Sequence, residues 1–311
     1  MSNNPVFYYN NSFDLRLRII YFYEMHLIII GHTGFIGKEL VNLIKKKKLA
    51  SRISKISSKQ INLLNNSSIK KLSKMFSENC YIVFCAGIKR QLGDDLIAYK
   101  KNLQIITNLA KSLNENVSKI VFFSSAAVYG EDKTRSRLIT ELTKVSPSSF
   151  YGIGKISSEY LLQKVCNDLK INLTIIRPPL IYGKGDQSRG YGPTKFICNA
   201  LEKKEVILWG DGSELREFVY YKDVINITYL LLISNHTGLF NLVSGESYTY
   251  KKVTEILQSK FKNMKINNKS RSRPKINIKF SNDKLKKIIK NYKFFNLKEG
   301  ISDFINSYEK K

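Results

Sequence analysis

Apolar residues recur along this chain with two rhythms, one suited to buried strands and one to helices. Leu27-Ile28-Ile29-Ile30 is continuously apolar, as a strand covered on both faces is, and Leu40, Val41, Leu43 and Ile44 follow at helical spacing. The pair of rhythms then repeats. Residues 52–59 predict a short second strand, Ile61-Asn62-Leu63-Leu64 a third, and Ser67 starts a helix through Met75. Tyr81–Gly87 predicts a buried strand ending in small residues. Leu96–Leu113 predicts a long amphipathic helix, and Lys119–Phe123 another buried strand. Alternating strands and helices predict an α/β fold with a doubly wound parallel sheet, its ligand sites at the carboxyl ends of the strands.

Between the first strand and the first helix, Gly31, Gly34 and Gly37 stand three apart. Glycines there let the backbone turn sharply and approach a ligand, while the free N–H groups of the new helix face an anion. The fitting anion is a dinucleotide pyrophosphate, and the sheet is then of the Rossmann type. Candidate cofactor contacts are Gly31, Thr33, Gly34, Phe35, Ile36 and Gly37 on this loop, and Ala86 and Gly87 on the small-residue strand end. Asn62 and Asn102, the latter on the long helix, are further candidates. An acidic residue usually ends the second strand of an NAD site and takes the ribose hydroxyls. Ser57, Ser58 and Lys59 occupy that place here, which leans the cofactor from NAD toward NADP(H); the same residues also fit a solvated basic loop.

Composition narrows the remaining classes. The net charge is +27, but lysines are spread along the whole chain with an excess of Asn and Ile, which reads as coding bias and not as a nucleic-acid face. The densest run, Lys45–Lys48, ends the first helix, where cations complement the helix dipole. An acidic small substrate would use the same positive field. No apolar run approaches the ~20 residues that span a bilayer, so no membrane partner is expected. The four cysteines form no C-x-x-C pair, which fits a cytoplasmic protein without disulfides. His26, His32 and His236 are too scattered for a metal site, and none is expected. Residues 1–24 interrupt their hydrophobic patch with charges and make a poor secretory signal. They are expected to be an appendage or a misassigned start, with the core beginning near Met25.

Candidate chemistry lies in the middle of the chain. Tyr151 and Lys155 are four apart and share a helical face, so the ammonium favours the phenolate of its neighbour. Ser125, at a strand end, can hydrogen-bond the same substrate oxygen. A glycine-rich loop, a strand-end serine and then Tyr-x-x-x-Lys form a specific ordered set.

On these motifs the chain resembles an extended short-chain dehydrogenase/reductase of the NAD(P)-dependent nucleotide-sugar epimerase/dehydratase family, over residues 25 to 305. The resemblance implies a Rossmann domain over 25–180, with returning segments near 219–245, and a smaller C-terminal substrate-binding lobe, mainly 181–311. It implies that Tyr151 is the acid/base at a sugar hydroxyl or ketone. Lys155 lowers its pKa and holds the nicotinamide ribose, and Ser125 positions the oxygen. Ile176–Gly183 resembles the strand after the catalytic helix, and Trp209–Tyr220 with Asp223 resembles the segment whose arginine, Arg216 here, holds the substrate diphosphate. Arg273, before Pro274, stands where a second arginine is usual. A homodimer follows by the same analogy.

Two departures shape the expected activity. Sugar-nucleotide dehydratases carry Asp-Glu just after the strand-end Ser/Thr, and Ala126-Ala127 here argue against water loss. Leu180 replaces an Asn that contacts substrate in many members. The short second loop and Ile61-Asn62-Leu63-Leu64 resemble the GDP-fucose synthase branch, which uses NADPH, whereas the Ser124–Gly130 stretch resembles the UDP-galactose 4-epimerase branch. The leading expectation is hydride transfer at sugar C4 by a 4-epimerase serving surface-polysaccharide synthesis. The alternative is an NADPH-dependent 4-keto-6-deoxy nucleotide-sugar reductase, and a remoter one is a non-catalytic dinucleotide-binding protein.

Overall fold

The computed structural model describes residues 25–47, 50, 52–130, 134–187, 189–190 and 192–309. The expected appendage, 1–24, lies outside the described residues. The first strand, β1 (His26–Ile30), is buried along its whole length. Its side chains divide by parity: Leu27 and Ile29 enter the core on one face of the sheet, Ile28 and Ile30 the core on the other. Helix α1 (Phe35–Lys46) lays Leu40, Val41 and Ile44 on the first face, and β2 (Arg52–Ile56) returns parallel to β1.

The third strand predicted at Ile61–Leu64 does not form. The alternation is present, with Ile61 and Leu63 buried and Asn62 and Leu64 exposed, but the backbone turns. Asn62 Oδ1 accepts from the Leu64 N–H at 3.1 Å, and the Asn62 carbonyl accepts from the Asn65 N–H at 3.0 Å. Asn108 Nδ2 donates to the Leu63 carbonyl at 2.8 Å. These local bonds offer the backbone an alternative to a ladder, and they win.

Helix α2 (Ser67–Ser73) leads to β3 (Cys80–Phe84), which pairs parallel with the free side of β1. Then come α3 (Leu96–Ser112), β4 (Val117–Phe123), α4 (Phe150–Asp168) and β5 (Asn172–Arg177). Pro178-Pro179 ends β5: proline has no N–H to extend the ladder, so β6 (Leu180–Tyr182) opens a separate three-stranded sheet. The chain continues through α5 (Gly192–Leu201), β7 (Val206–Trp209) and β8 (Leu215–Tyr220). Helix α6 (Tyr221–Ile233) and β9 (Gly238–Asn241) return to the large sheet, where β9 pairs with β5. The chain ends with β10 (Ser247–Thr249), α7 (Tyr250–Lys260), β11 (Ile266–Lys269), α8 (Asp283–Ile288) and α9 (Leu297–Glu309).

The central sheet runs β2-β1-β3-β4-β5-β9, and every pairing in it is parallel. Because β2 and β3 flank β1 on opposite sides, the crossovers diverge and leave a crevice beyond the carboxyl end of β1. No helix among the described residues is long and apolar enough to cross a membrane.

Candidate active site

The crevice beyond β1 is a cleft of about 460 Å³. Its floor is the glycine loop. Gly31 takes a left-handed φ of 93°, and a Cβ there would lie 2.7 Å from the Ala86 backbone nitrogen, so only glycine lets β1 end this close to β3. A Cβ on Gly37 would collide with the Gly31 carbonyl. Helix α1 starts with no side-chain cap and no acidic residue in its first turn, leaving its free N–H groups for an anion. Thr33, Gly34, Phe35 and Ile36 line the cleft beside these glycines.

Ser57, Ser58 and Asn62 line the cleft beyond the end of β2. The Ser57 hydroxyl donates to Gln60 Oε1 at 3.0 Å and is committed to its own turn. Ala86 and Gly87 line the opposite rim. Asn102 does not line this cleft: its side chain accepts from the Ile88 N–H at 2.8 Å and donates to the Ile88 carbonyl at 3.1 Å. The expected contact is therefore a brace for the loop after Gly87. Both polar ends of its amide are used by backbone.

Ser125, Tyr151 and Lys155 line the far wall. Ser125 begins a 3-10 turn (Ala126–Tyr129) after β4, and its Oγ accepts from the Ala127 N–H at 3.2 Å. Tyr151 and Lys155 occupy the first two turns of α4, capped by Ser149, whose Oγ accepts from the Gly152 N–H at 3.0 Å. Lys155 Nζ donates to the Phe123 carbonyl at 2.7 Å and lies 5.7 Å from the centroid of the Tyr151 ring. Burial lowers its ammonium to about 8, against the opposing pull of Cys85 and Glu159. Burial also pushes the Cys85 thiol, on the cleft floor, up to about 12, which leaves it a poor nucleophile.

Helix α4 is pinned from below by a buried ion pair. Glu159 accepts from Arg177 Nε at 2.9 Å and Nη2 at 2.5 Å, and also from the Ser124 hydroxyl. One carboxylate thus joins the ends of β4 and β5 to the helix that carries Tyr151 and Lys155.

A second cleft, about 610 Å³, is lined largely by residues after β5 and shares Arg90 and Pro179 with the first. Arg216 and Arg273 both line it, but they are not partners. Glu214 instead bridges Arg216 and Arg271, the latter at 2.5 Å, and Arg271 also lines the cleft whereas Arg273 is exposed. Leu180 lines the cleft with an apolar side chain. Asp223 lies in neither cleft; it accepts from the Tyr292 hydroxyl at 2.8 Å and the Phe295 N–H at 3.1 Å, and is a structural tie. Lys89, Arg90 and Asp186 were not expected. Lys89 pairs with Asp186 at 3.3 Å across the mouth of the first cleft, and the position of Lys89 two residues after Gly87 was the available signal.

The sequence model of the NAD dependent epimerase/dehydratase family matches residues 27–242. The chain is 26% identical to the GDP-6-deoxy-D-talose 4-dehydrogenase of Aggregatibacter actinomycetemcomitans over 241 residues, 75% of this chain and 79% of that protein. It is 27% identical to the GDP-L-colitose synthase of Yersinia pseudotuberculosis over 258 residues, 75% of this chain and 82% of that one. Among solved structures, the UDP-glucuronic acid 4-epimerase of Bacillus cereus, in complex with UDP-glucuronic acid and NAD, superimposes with a TM-score of 0.78. That match has 21% identity and covers 92% of this chain and 99% of that one.

Proposed function

Because the chain belongs to the NAD dependent epimerase/dehydratase family, we propose that it acts by hydride transfer at C4 of a nucleoside-diphosphate sugar, as an NADPH-dependent 4-ketoreductase. The observation that carries this reading is the meeting of two clefts, one floored by a glycine loop and one lined by arginines, beside Ser125, Tyr151 and Lys155. The glycine loop and the open N-terminus of α1 fit a dinucleotide pyrophosphate, with Ala86, Gly87 and Lys155 along its remaining length. A bound nicotinamide dinucleotide supplies the hydride. Tyr151 donates its phenolic proton to the C4 oxygen as the ketone becomes an alcohol, and recovers it from solvent. Lys155 holds a positive charge beside the phenol and stabilises the phenolate left behind. Ser125 donates a hydrogen bond to the same oxygen.

NADP(H) is supported by the cleft beyond the end of β2. Among the described residues lining the first cleft, Asp186 is the only carboxylate, and it is paired with Lys89. Beside Ser57 and Ser58 a 2′-phosphate therefore faces no carboxylate, with the Ser57 hydroxyl itself given to Gln60. The C4 chemistry that the Aggregatibacter relative is named for supports the same position on the sugar. A 4-epimerase is the second reading, favoured by the Ser124–Gly130 stretch. Ala126-Ala127 in the turn after β4 argue against dehydration.

Purified protein incubated with UDP-, GDP-, dTDP- and CDP-sugars and their 4-keto-6-deoxy forms separates these readings by absorbance at the reduced-nicotinamide band. Net NADPH consumption by a keto sugar is expected. Product with no net cofactor change selects the epimerase, and no turnover of any sugar by wild-type protein removes both.

Arg271 is the second arm of the anion site. Arg271→Ala is expected to raise KM for the nucleotide sugar by about 10- to 100-fold, since a charge-assisted contact contributes about 1.5–3 kcal/mol. Arg273→Ala, at an exposed position, should change it less than threefold, about 0.6 kcal/mol. Equal effects from the two would undo the assignment.

The reaction rate should fall as pH rises through about 8. Lys155 is charged below that pH and neutral above it, so the support for the phenolate is present on the acid side and lost on the alkaline side. A kcat that stays flat to pH 10 contradicts this role for Lys155.

A further inference from the structure

The proposed proton donor sits in the first turn of its own helix, where backbone N–H groups lack partners within the helix. Phe150 is 40% and Ile153 38% exposed, and the Phe150 ring meets Tyr99 of α3 with 6.2 Å between centroids. Gly152, next to Tyr151, brings no side chain and lets the backbone of this turn pack closely on the Ala127 carbonyl, which a Cβ there would meet at 2.7 Å. The first N–H groups of a helix have no partner within it, and the Ser149 cap serves only that of Gly152. The Tyr151 N–H is met from elsewhere. Asp94 Oδ1 accepts it at 2.9 Å from 57 residues upstream.

Asp94 is itself held. Its Oδ2 accepts from Arg90 Nε at 3.0 Å, and the next residue, Asp95, caps α3 by accepting from the Ala98 N–H at 2.7 Å. Arg90 lines both clefts, and its neighbour Lys89 reaches Asp186 in the segment after β6. Segment 89–95 therefore runs from the junction of the two clefts to the backbone of Tyr151. A carboxylate at a helix N-terminus is also favoured by the helix dipole.

We propose that Asp94 is the positioning residue for Tyr151: its carboxylate, oriented by Arg90, fixes the first turn of α4 so that the phenol points at the C4 oxygen. The inference rests on Tyr151 being the proton donor. It goes beyond that reading by assigning the donor's placement to a residue on a different helix-start, which carries no chemistry of its own. Misplacement of a reacting group by about 1 Å lowers rates on the order of a hundredfold, so a backbone brace at this position controls turnover without touching substrate.

Two variants test it. Asp94→Asn keeps an oxygen for the Tyr151 N–H, whereas Asp94→Ala removes it. Expected for Asp94→Ala is a loss of at least about tenfold in kcat with KM for the nucleotide sugar and the cofactor Kd within about twofold of wild type. Asp94→Asn should retain kcat within about threefold. Equal losses in the two variants, or wild-type kcat in Asp94→Ala, overturn the proposal. Amide hydrogen exchange of the peptide spanning the first turn of α4 gives a readout that needs no substrate. Faster exchange in Asp94→Ala and not in Asp94→Asn is expected, and unchanged exchange in Asp94→Ala refutes the brace. If wild-type protein turns over no sugar, the functional reading fails while the exchange result still decides the brace.

Discussion

Replacing Tyr151 with Phe is expected to lower kcat on a 4-keto nucleotide sugar by about 10²- to 10⁴-fold while leaving cofactor affinity unchanged. The substitution removes one oxygen. The ring that lines the first cleft and lies beside Lys155 stays in place, so binding surfaces are preserved. What is lost is the proton that must reach the C4 oxygen as hydride arrives. Lys155 and Ser125 cannot substitute for it: Lys155 Nζ is turned to the Phe123 carbonyl, and the Ser125 hydroxyl, which can donate a hydrogen bond to the C4 oxygen, is a weaker acid than a phenol and keeps its proton. Steady-state kinetics with a fluorescence titration of NADPH checks both halves. Turnover near the wild-type rate in Tyr151→Phe would remove this phenol from the mechanism.

The second large effect concerns stability. Glu159→Ala leaves the Arg177 guanidinium buried, with 4% of its side chain exposed, and without its carboxylate. Breaking a buried pair from one side costs about 3–5 kcal/mol, which lowers Tm by on the order of 10 °C in a chain of this size. It also releases the Ser124 hydroxyl and with it the tie between β4 and α4. Replacing both partners by apolar residues, Glu159→Leu with Arg177→Met, should recover much of the loss, because no unpaired charge remains. Calorimetry on the two variants tests this; a double variant no more stable than Glu159→Ala would contradict it.

The features legible in the sequence are the ones written in local spacing. The four-residue apolar run before Gly31 marks β1, and the three glycines mark a turn into a helix. Tyr151 and Lys155, one turn apart, had to share a face wherever a helix formed. Other features depend on residues far apart in the chain. Ile61–Leu64 alternates as a strand does, yet Asn62 and the distant Asn108 capture its backbone. Asn102 has the polarity of a ligand residue and is used up on Ile88. Arg271 and Arg273 are alike in the sequence, and only the fold shows that Glu214 meets Arg271 while Arg273 is exposed. The braces of the site, Glu159–Arg177 and Asp94 on the Tyr151 backbone, span 18 and 57 residues, and no periodicity announces them.

The central claim is that hydride passes between a nicotinamide and C4 of a nucleotide-linked sugar beside Tyr151. It is tested most directly by incubating the protein with 4-keto-6-deoxy forms of GDP- and dTDP-hexoses and NADPH deuterated at the nicotinamide C4, the 4R and 4S forms in separate reactions. Mass spectrometry of the sugar product should find one deuterium at C4 with one of the two forms and none with the other. A reduced product carrying hydrogen from solvent at C4 with both forms would contradict the account.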